Sequence, residues 1–175
     1  MADLAERVAA LIRDVPDFPT PGILFRDIAP LLRDPEVFAE VVDWFVEHVE
    51  ALGATVVVGI ESRGFLLGAP VAVRANVPFV PVRKAGKLPG PVHGQKCTLE
   101  YGETELQVQV GALHAVDRVL IVDDVLATGG TAAATAALVR ADGAEPIELT
   151  VLLELSALKG RDNVAPWPVT ALLSV

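Results

Sequence analysis

The sequence predicts an α/β chain with a largely parallel central sheet flanked by helices. Two observations carry this. Four short runs are apolar and rich in β-branched residues, as strands buried on both faces are: Thr55–Ile60 (TVVVGI), Pro78–Arg83 (PFVPVR), Arg118–Asp124 (RVLIVDD) and Ile147–Leu155 (IELTVLLEL). Segments with helical periodicity separate the first from the second and the third from the fourth, the alternation that parallel strands require. The chain has 175 residues, 52% of them hydrophobic, enough for one substantial core.

Taken in order, Leu4, Val8, Leu11, Ile12 and Val15 recur at helical spacing, which predicts an amphipathic helix over about 3–14. The next stretch, DFPTPGILFRDIAP, holds three prolines and a glycine and reads as a shaped loop. Asp34 before Pro35 is a helix start, an N-cap acceptor followed by proline in the first turn. Val37, Phe38, Val41, Val42, Phe45, Val46 and Val49 give that helix its buried face, and Gly53 ends it. After TVVVGI a helical stretch runs to about Arg74. Residues 84–98, polar and carrying Gly and Pro, read as a long mobile loop. ELQVQV (Glu105–Val110) alternates, so one face is wet. TAAATAALVRAD is a helix ended by Gly143. No repeat or linker interrupts the chain, so residues 1–175 read as a single domain.

The formal net charge of −9 argues against a nucleic-acid partner, which needs a basic face to displace counterions. No apolar run approaches the roughly 18 residues that span a bilayer, and the N-terminus lacks a signal-peptide pattern, so the expected location is cytoplasmic, away from membranes. Cys97 is the single cysteine, which excludes an internal disulfide and a Cys-based zinc cage; His48, His93 and His114 lack ligand spacing.

The chemistry concentrates in VLIVDDVLATGGT, Val119–Thr131. A buried strand runs into two carboxylates, then a Gly-Gly loop, then a helix. Gly129 and Gly130 let backbone N–H groups close on an anion, Ala127 leads into that loop, and Thr128 and Thr131 add hydroxyl donors. The helix N-terminus points positive charge at the same spot. The loop lacks the lysine and length of a Walker A motif, so it reads as a monophosphate cradle. Asp123 and Asp124 are placed to accept from two ribose hydroxyls. A second motif, GIESRGF (Gly59–Phe65), puts Arg63 on a loop that leads into a helix N-terminus. A third, RKAGKLPG (Arg83–Gly90), sets Arg83, Lys84 and Lys87 in an otherwise acidic chain, suited to steering a polyanion.

The Val119–Thr131 string resembles the signature with which type I phosphoribosyltransferases bind phosphoribosyl pyrophosphate (PRPP). FPTPGILFRDI, GIESRGF, RKAGKLPG, LEYG and LELSALKGR are similar to the adenine-specific branch, in its order and spacing, over about residues 15–175. The resemblance implies the type I phosphoribosyltransferase fold, with a small hood over about 15–34 and a flexible catalytic loop over about 84–104. It also implies transfer of the phosphoribosyl group to adenine, giving AMP and pyrophosphate, with Mg²⁺ bound mainly through PRPP and water.

By the same resemblance, Ser62 and Arg63 belong to the pyrophosphate loop, with a non-proline cis peptide at Glu61–Ser62. Glu100 handles the proton on the base and Tyr101 helps to close the loop. In the hood, Phe25 stacks on the purine and the backbone of Leu24–Phe25–Arg26 reads its edge, while Leu155 covers the other face. A homodimer is implied, with the basic segment near the contact. PVHGQKC, ahead of LEYG, departs from the usual filling, and the Ala157–Arg161 tail matches without an evident physical role. Two rivals are a phosphoribosyltransferase for another base, which the hood and LEYG disfavour, and a PRPP-sensing regulator that binds nucleic acid. The regulator would need a basic face or a DNA-binding extension, and would have no use for a catalytic loop.

Overall fold

The computed structural model describes residues 3–99 and 102–175. The chain divides into two compact units, Met1–Trp44 and Phe45–Val175.

In the first unit, helix α1 (Leu4–Leu11) leads into strand β1 (Arg13–Pro16), which pairs antiparallel with β2 (Leu24–Asp27). Helix α2 (Ala29–Arg33) follows, and α3 (Pro35–Leu52) starts in this unit and ends in the next. Two expectations are corrected here. The first helix ends at Leu11, and the proline-rich stretch is a loop only across its turn. What holds the ribbon is charge pairing across it: Arg13 stands opposite Asp27 and Asp14 opposite Arg26, and both pairs are ion-paired. A segment-by-segment reading misses such a ladder because each half lies on a different strand. Asp17, at φ 57°, accepts from the Gly22 N–H at 2.7 Å and closes the turn. The α3 start is as expected, with Asp34 Oδ1 accepting from the Glu36 and Val37 N–H groups.

The second unit is built on a seven-stranded sheet. Its strands are β3 (Val56–Ile60), β4 (Phe79–Lys84), β5 (Val92–Leu99), β6 (Gly102–Gln109), β7 (Arg118–Leu126), β8 (Glu145–Glu154) and β9 (Val169–Ser174), in the spatial order β5-β6-β4-β3-β7-β8-β9. β4-β3-β7-β8-β9 are parallel; β6 and β5 add an antiparallel hairpin at one edge. The helices are α4 (Arg63–Ala75), α5 (Gly130–Ala141) and α6 (Gly160–Val164). Val56, Val58 and Ile60 join the core cluster that holds Ala132, Ala136 and Val139 of α5. Val57, on the opposite face of β3, meets α4 at Gly68. Helices therefore cover both faces, which is why β3 and the first half of β7 are apolar without alternation.

The loop expected over 84–98 is another correction. Lys84 closes β4, and residues from Val92 onward form β5, paired with β6 from Val92↔Gln109 to Leu99↔Gly102. Cys97, expected on that loop, is buried in the core. The alternation of Leu106 and Val108 inward with Gln107 and Gln109 outward is as expected. β9 and α6 had no counterpart among the expected elements. No helix among the described residues is long and apolar enough to cross a membrane.

β3 connects through α4 to β4 on one side, while β7 connects through α5 to β8 on the other. The sheet thus reverses its winding between β3 and β7, where α/β sheets open a crevice at their carboxyl ends. α4 begins hard against β7: a Cβ on Gly64 would lie 2.7 Å from the Val122 carbonyl oxygen and 3.0 Å from Asp123 Oδ1. Backbone cannot rotate aside, so Gly64→Ala should destabilise the fold by about 1–3 kcal/mol, the scale of overpacking. Urea unfolding would read this as a lower midpoint at unchanged slope.

Candidate active site

The carboxyl ends of β3 and β7 bring two of the motifs together. β7 carries Asp123 and Asp124 to the crevice; Asp124 is 3% exposed and Asp123 partly buried. Asp123 Oδ1 accepts from the Asp124 N–H at 2.9 Å. Arg63, first residue of α4, places Nε 2.8 Å from Asp124 Oδ2. That oxygen is buried and has no aligned hydrogen-bond donor, so its partner is a charge. Burial, and then the charge of Asp124, push the Asp123 carboxyl well above the usual carboxylate range. Burial raises Asp124 too, against the pull of the Arg63 guanidinium. Two adjacent acids, one buried and one partly buried, thus stand beside one cation at the crevice.

The loop after β7 leads directly into the N-terminus of α5. Gly129 has φ 84° and caps α5, whose first turn forms with Ala133 N–H donating to the Gly129 carbonyl. A side chain at 129 would be strained by that backbone and would collide with the Gly160 carbonyl oxygen. The first N–H groups of a twelve-residue helix face the loop without helical partners. A cleft of about 480 Å³ opens here, lined by Thr128, Gly130, Ala133 and Ala134 together with Gln95 and Asn163.

The tail that sequence reading left without a role braces this loop. Gly160 sits so close to Ala127 and Leu126 that a Cβ there would meet the Ala127 carbonyl oxygen. Asn163 Nδ2 donates to the Thr128 carbonyl oxygen at 2.7 Å. The Leu155 N–H donates to the Leu126 carbonyl oxygen at 2.9 Å. Arg161 grips Glu154 at the end of β8 with two bonds, 2.8 and 2.7 Å, and donates to the Val169 carbonyl oxygen. The Arg161 contact holds the Glu154 carboxyl below the usual range. Asn163 and Thr128 are 35 residues apart in sequence, so no local pattern points to their pairing.

Ser62 stands ahead of α4, and the Glu61–Ser62 peptide is cis, as the resemblance implied. Glu61, which sequence reading passed over, organises the basic segment. Its carboxylate accepts from Arg83 Nε at 3.2 Å, from the Lys84 N–H at 3.0 Å and from the Lys87 ammonium. Burial pushes Glu61 up, but Lys87, the Lys84 N–H and Arg83 outweigh it and hold its carboxyl below the usual range. Arg83 also lies over the Phe65 ring, 6.0 Å from its centroid. Burial raises the Cys97 thiol, the opposite of what a nucleophile needs.

Phe25 lies in the first unit, with Phe18 packed edge-on at 5.0 Å between centroids. Leu24 and Arg26 are next but one on β2, so their N–H and C=O groups share one edge of a two-stranded ribbon. Leu155 lies in the second unit, just past β8. Glu100 and Tyr101 fall outside the described residues.

The raised Asp123 carboxyl makes a stability prediction with a definite sign. A carboxyl whose folded pKa is raised favours folding at low pH and costs stability once pH rises through the ordinary carboxylate range. Asp123→Asn keeps the acceptor of the Asp124 N–H and removes the charge. The variant should melt a few degrees higher than the parent at pH 7, and the gain should shrink as pH falls toward about 4. Melting curves at several pH values would check this; a variant less stable at neutral pH would contradict it.

Comparison with known proteins agrees with this geometry. Residues 28–171 match the model of the phosphoribosyl transferase domain. An adenine phosphoribosyltransferase of Frankia casuarinae is 52% identical, over 98% of this chain and 92% of its own. The crystal structure of the adenine phosphoribosyltransferase from Rhodothermus marinus superposes with a TM-score of 0.92 at 44% identity, over 98% of each chain. That of the Saccharomyces cerevisiae enzyme, complexed with an imino-altritol bisphosphate and adenine, has a TM-score of 0.92 at 41% identity, over 98% of this chain and 99% of its own. With its acidic pair, its phosphate-type loop and its full-length likeness to these enzymes, the chain belongs to the adenine phosphoribosyltransferase family.

Proposed function

We propose that the chain, acting over residues 1–175 as one phosphoribosyltransferase domain, moves the 5-phosphoribosyl group of PRPP onto adenine, forming AMP and releasing pyrophosphate. The observation that carries this is the Asp123–Asp124 pair, with Asp124 buried, running directly into the Ala127–Thr131 loop at the α5 N-terminus. The cradle takes the 5′-phosphate through backbone N–H groups and the Thr128 and Thr131 hydroxyls. Asp123 and Asp124 accept from the ribose hydroxyls.

Breaking the bond between the anomeric carbon and pyrophosphate leaves positive charge on the sugar ring. Fixing both ends of PRPP holds the carbon within reach of the base. Ser62 and Arg63 bind the leaving pyrophosphate, and Arg83, Lys84 and Lys87 attract it. Mg²⁺ suits this donor set: the site offers hard carboxylate oxygens, while no group of three His, Cys, Asp or Glu side chains converges among the described residues. The ion is then held mainly by PRPP oxygens and water, and when bound it neutralises charge on the pyrophosphate. Glu100 accepts the purine ring proton as the new bond forms, and Tyr101 helps to exclude water. The assignments of Leu24, Phe25, Arg26 and Leu155 to adenine, and of Glu100 and Tyr101 to catalysis, rest on the motifs shared with the family.

The enzyme works in the cytoplasm as a homodimer. Leu66 and Val73, 47% and 82% exposed, lie seven residues apart on α4 and so share one face, an apolar stripe suited to a second copy. Sedimentation velocity is the direct check.

Base choice is the sharpest test. Adenine offers an amino donor beside a bare ring nitrogen, and hypoxanthine reverses both. On the motif shared with the family, the backbone of Leu24–Phe25–Arg26 offers the base a carbonyl and an N–H that cannot exchange roles, so hypoxanthine leaves two groups mismatched. At about 1–3 kcal/mol each, kcat/KM should favour adenine by roughly 10²–10⁴. A ratio below about ten, measured with saturating PRPP and Mg²⁺, would reject edge reading by the backbone. In the same assay Glu100→Gln should lower kcat about 10²-fold, with PRPP binding little changed; a shift in KM alone would make Glu100 a binding residue.

A further inference from the structure

We infer that Asn163 is a positioning residue for the phosphate loop, aiming its N–H groups by holding the Thr128 carbonyl. This rests on the reading that Ala127–Thr131 holds the 5′-phosphate of PRPP.

A loop that cradles an anion with N–H groups has to turn its carbonyl oxygens away from the same point. Each peptide unit carries both ends of one dipole, so fixing a carbonyl on one side fixes the next N–H on the other. The Thr128 carbonyl belongs to the peptide unit whose N–H is that of Gly129. Gly129, at φ 84°, has wide conformational freedom, so the orientation of this unit is not set by local sterics. Asn163 Nδ2 sets it, donating to the Thr128 oxygen at 2.7 Å from outside the loop.

The neighbouring contacts show that Asn163 is itself held. Asn163 Cβ lies 3.2 Å from where a Cβ on Gly129 would stand. Gly160, on the same short helix α6, presses on Ala127 and Leu126. Arg161 ties the helix to Glu154 and to the Val169 carbonyl. Asn163 is exposed and lines the cleft beside the loop, so its amide contributes little to core stability. The side chain must be a donor: a carboxylate there would face the Thr128 oxygen with like charge and would stand beside an incoming phosphate.

The test compares Asn163→Ala and Asn163→Asp with Thr131→Val, a change within the loop. Steady-state kinetics give KM for PRPP, KM for adenine and kcat; titration with ribose 5-phosphate reads the phosphate site without the pyrophosphate. Asn163→Ala should raise KM for PRPP and weaken ribose 5-phosphate about fivefold, the scale of one lost hydrogen bond. Asn163→Asp should do so more strongly. KM for adenine and the melting temperature should stay near their parent values. If Thr131→Val weakens both ligands and the Asn163 variants do not, the loop holds phosphate and the positioning role is wrong. If Asn163→Ala raises both KM values alike, or lowers the melting temperature in step, its role is general and the inference also fails. If Thr131→Val leaves both ligands unaffected, the phosphate reading falls and takes this inference with it.

Discussion

Two adjacent carboxylates at the end of a central strand, one of them buried, constrain everything around them. Charge in such a place is unfavourable unless something answers it. Arg63 answers Asp124 at 2.8 Å, and it can do so only because α4 starts in contact with β7, with Gly64 against the Val122 carbonyl. The close approach of helix and strand, the glycine that permits it and the guanidinium that opens the helix form one solution to one electrostatic problem. The same helix start also presents the Glu61–Ser62 segment beside the crevice.

Much of this was legible in the sequence, for a physical reason. β3 and the first half of β7 announce themselves because burial on both faces leaves little room for polar residues, whereas β4 alternates. The loop after β7 stands out because Gly-Gly follows a strand and precedes a helix, as the structure places it. Asp34 before Pro35 marked a helix start that the backbone confirms. What failed was the reading of polar, proline-bearing stretches as loops. β5 is held by its partner β6, and β1 with β2 by facing ion pairs; neither strand is apolar enough to be read alone. Pairing is a property of two segments, and a pass along the chain sees one at a time.

The same limit applied within the site. Asp123, Asp124, Arg63 and the loop glycines sit in local motifs, so a pass along the chain can propose them, and the structure brings them to one end of the sheet. Glu61 lay inside a motif and was still missed, because its three donors come from β4 and the turn after it. Asn163 reaches Thr128 across 35 residues, a distance that no motif spans, while Arg161 and Glu154 lie within LELSALKGR and only the structure shows that they pair. Glu61 in particular shows why net charge was a coarse guide: the basic segment is partly answered by an acid of the same protein.

The bracing of the phosphate loop has a consequence for how the fold assembles. The loop is joined to Asn163, Gly160 and Leu155, all of which follow it by a full helix and strand. Its shape is therefore a product of late, long-range closure and not of its own residues. A fragment ending at α5 would carry the whole recognisable signature, acids, glycines and threonines included, yet lack every contact that fixes the loop from outside. The most conspicuous stretch of this sequence is, in conformational terms, among the least autonomous, and it acquires its geometry only when the second half of the sheet has formed around it.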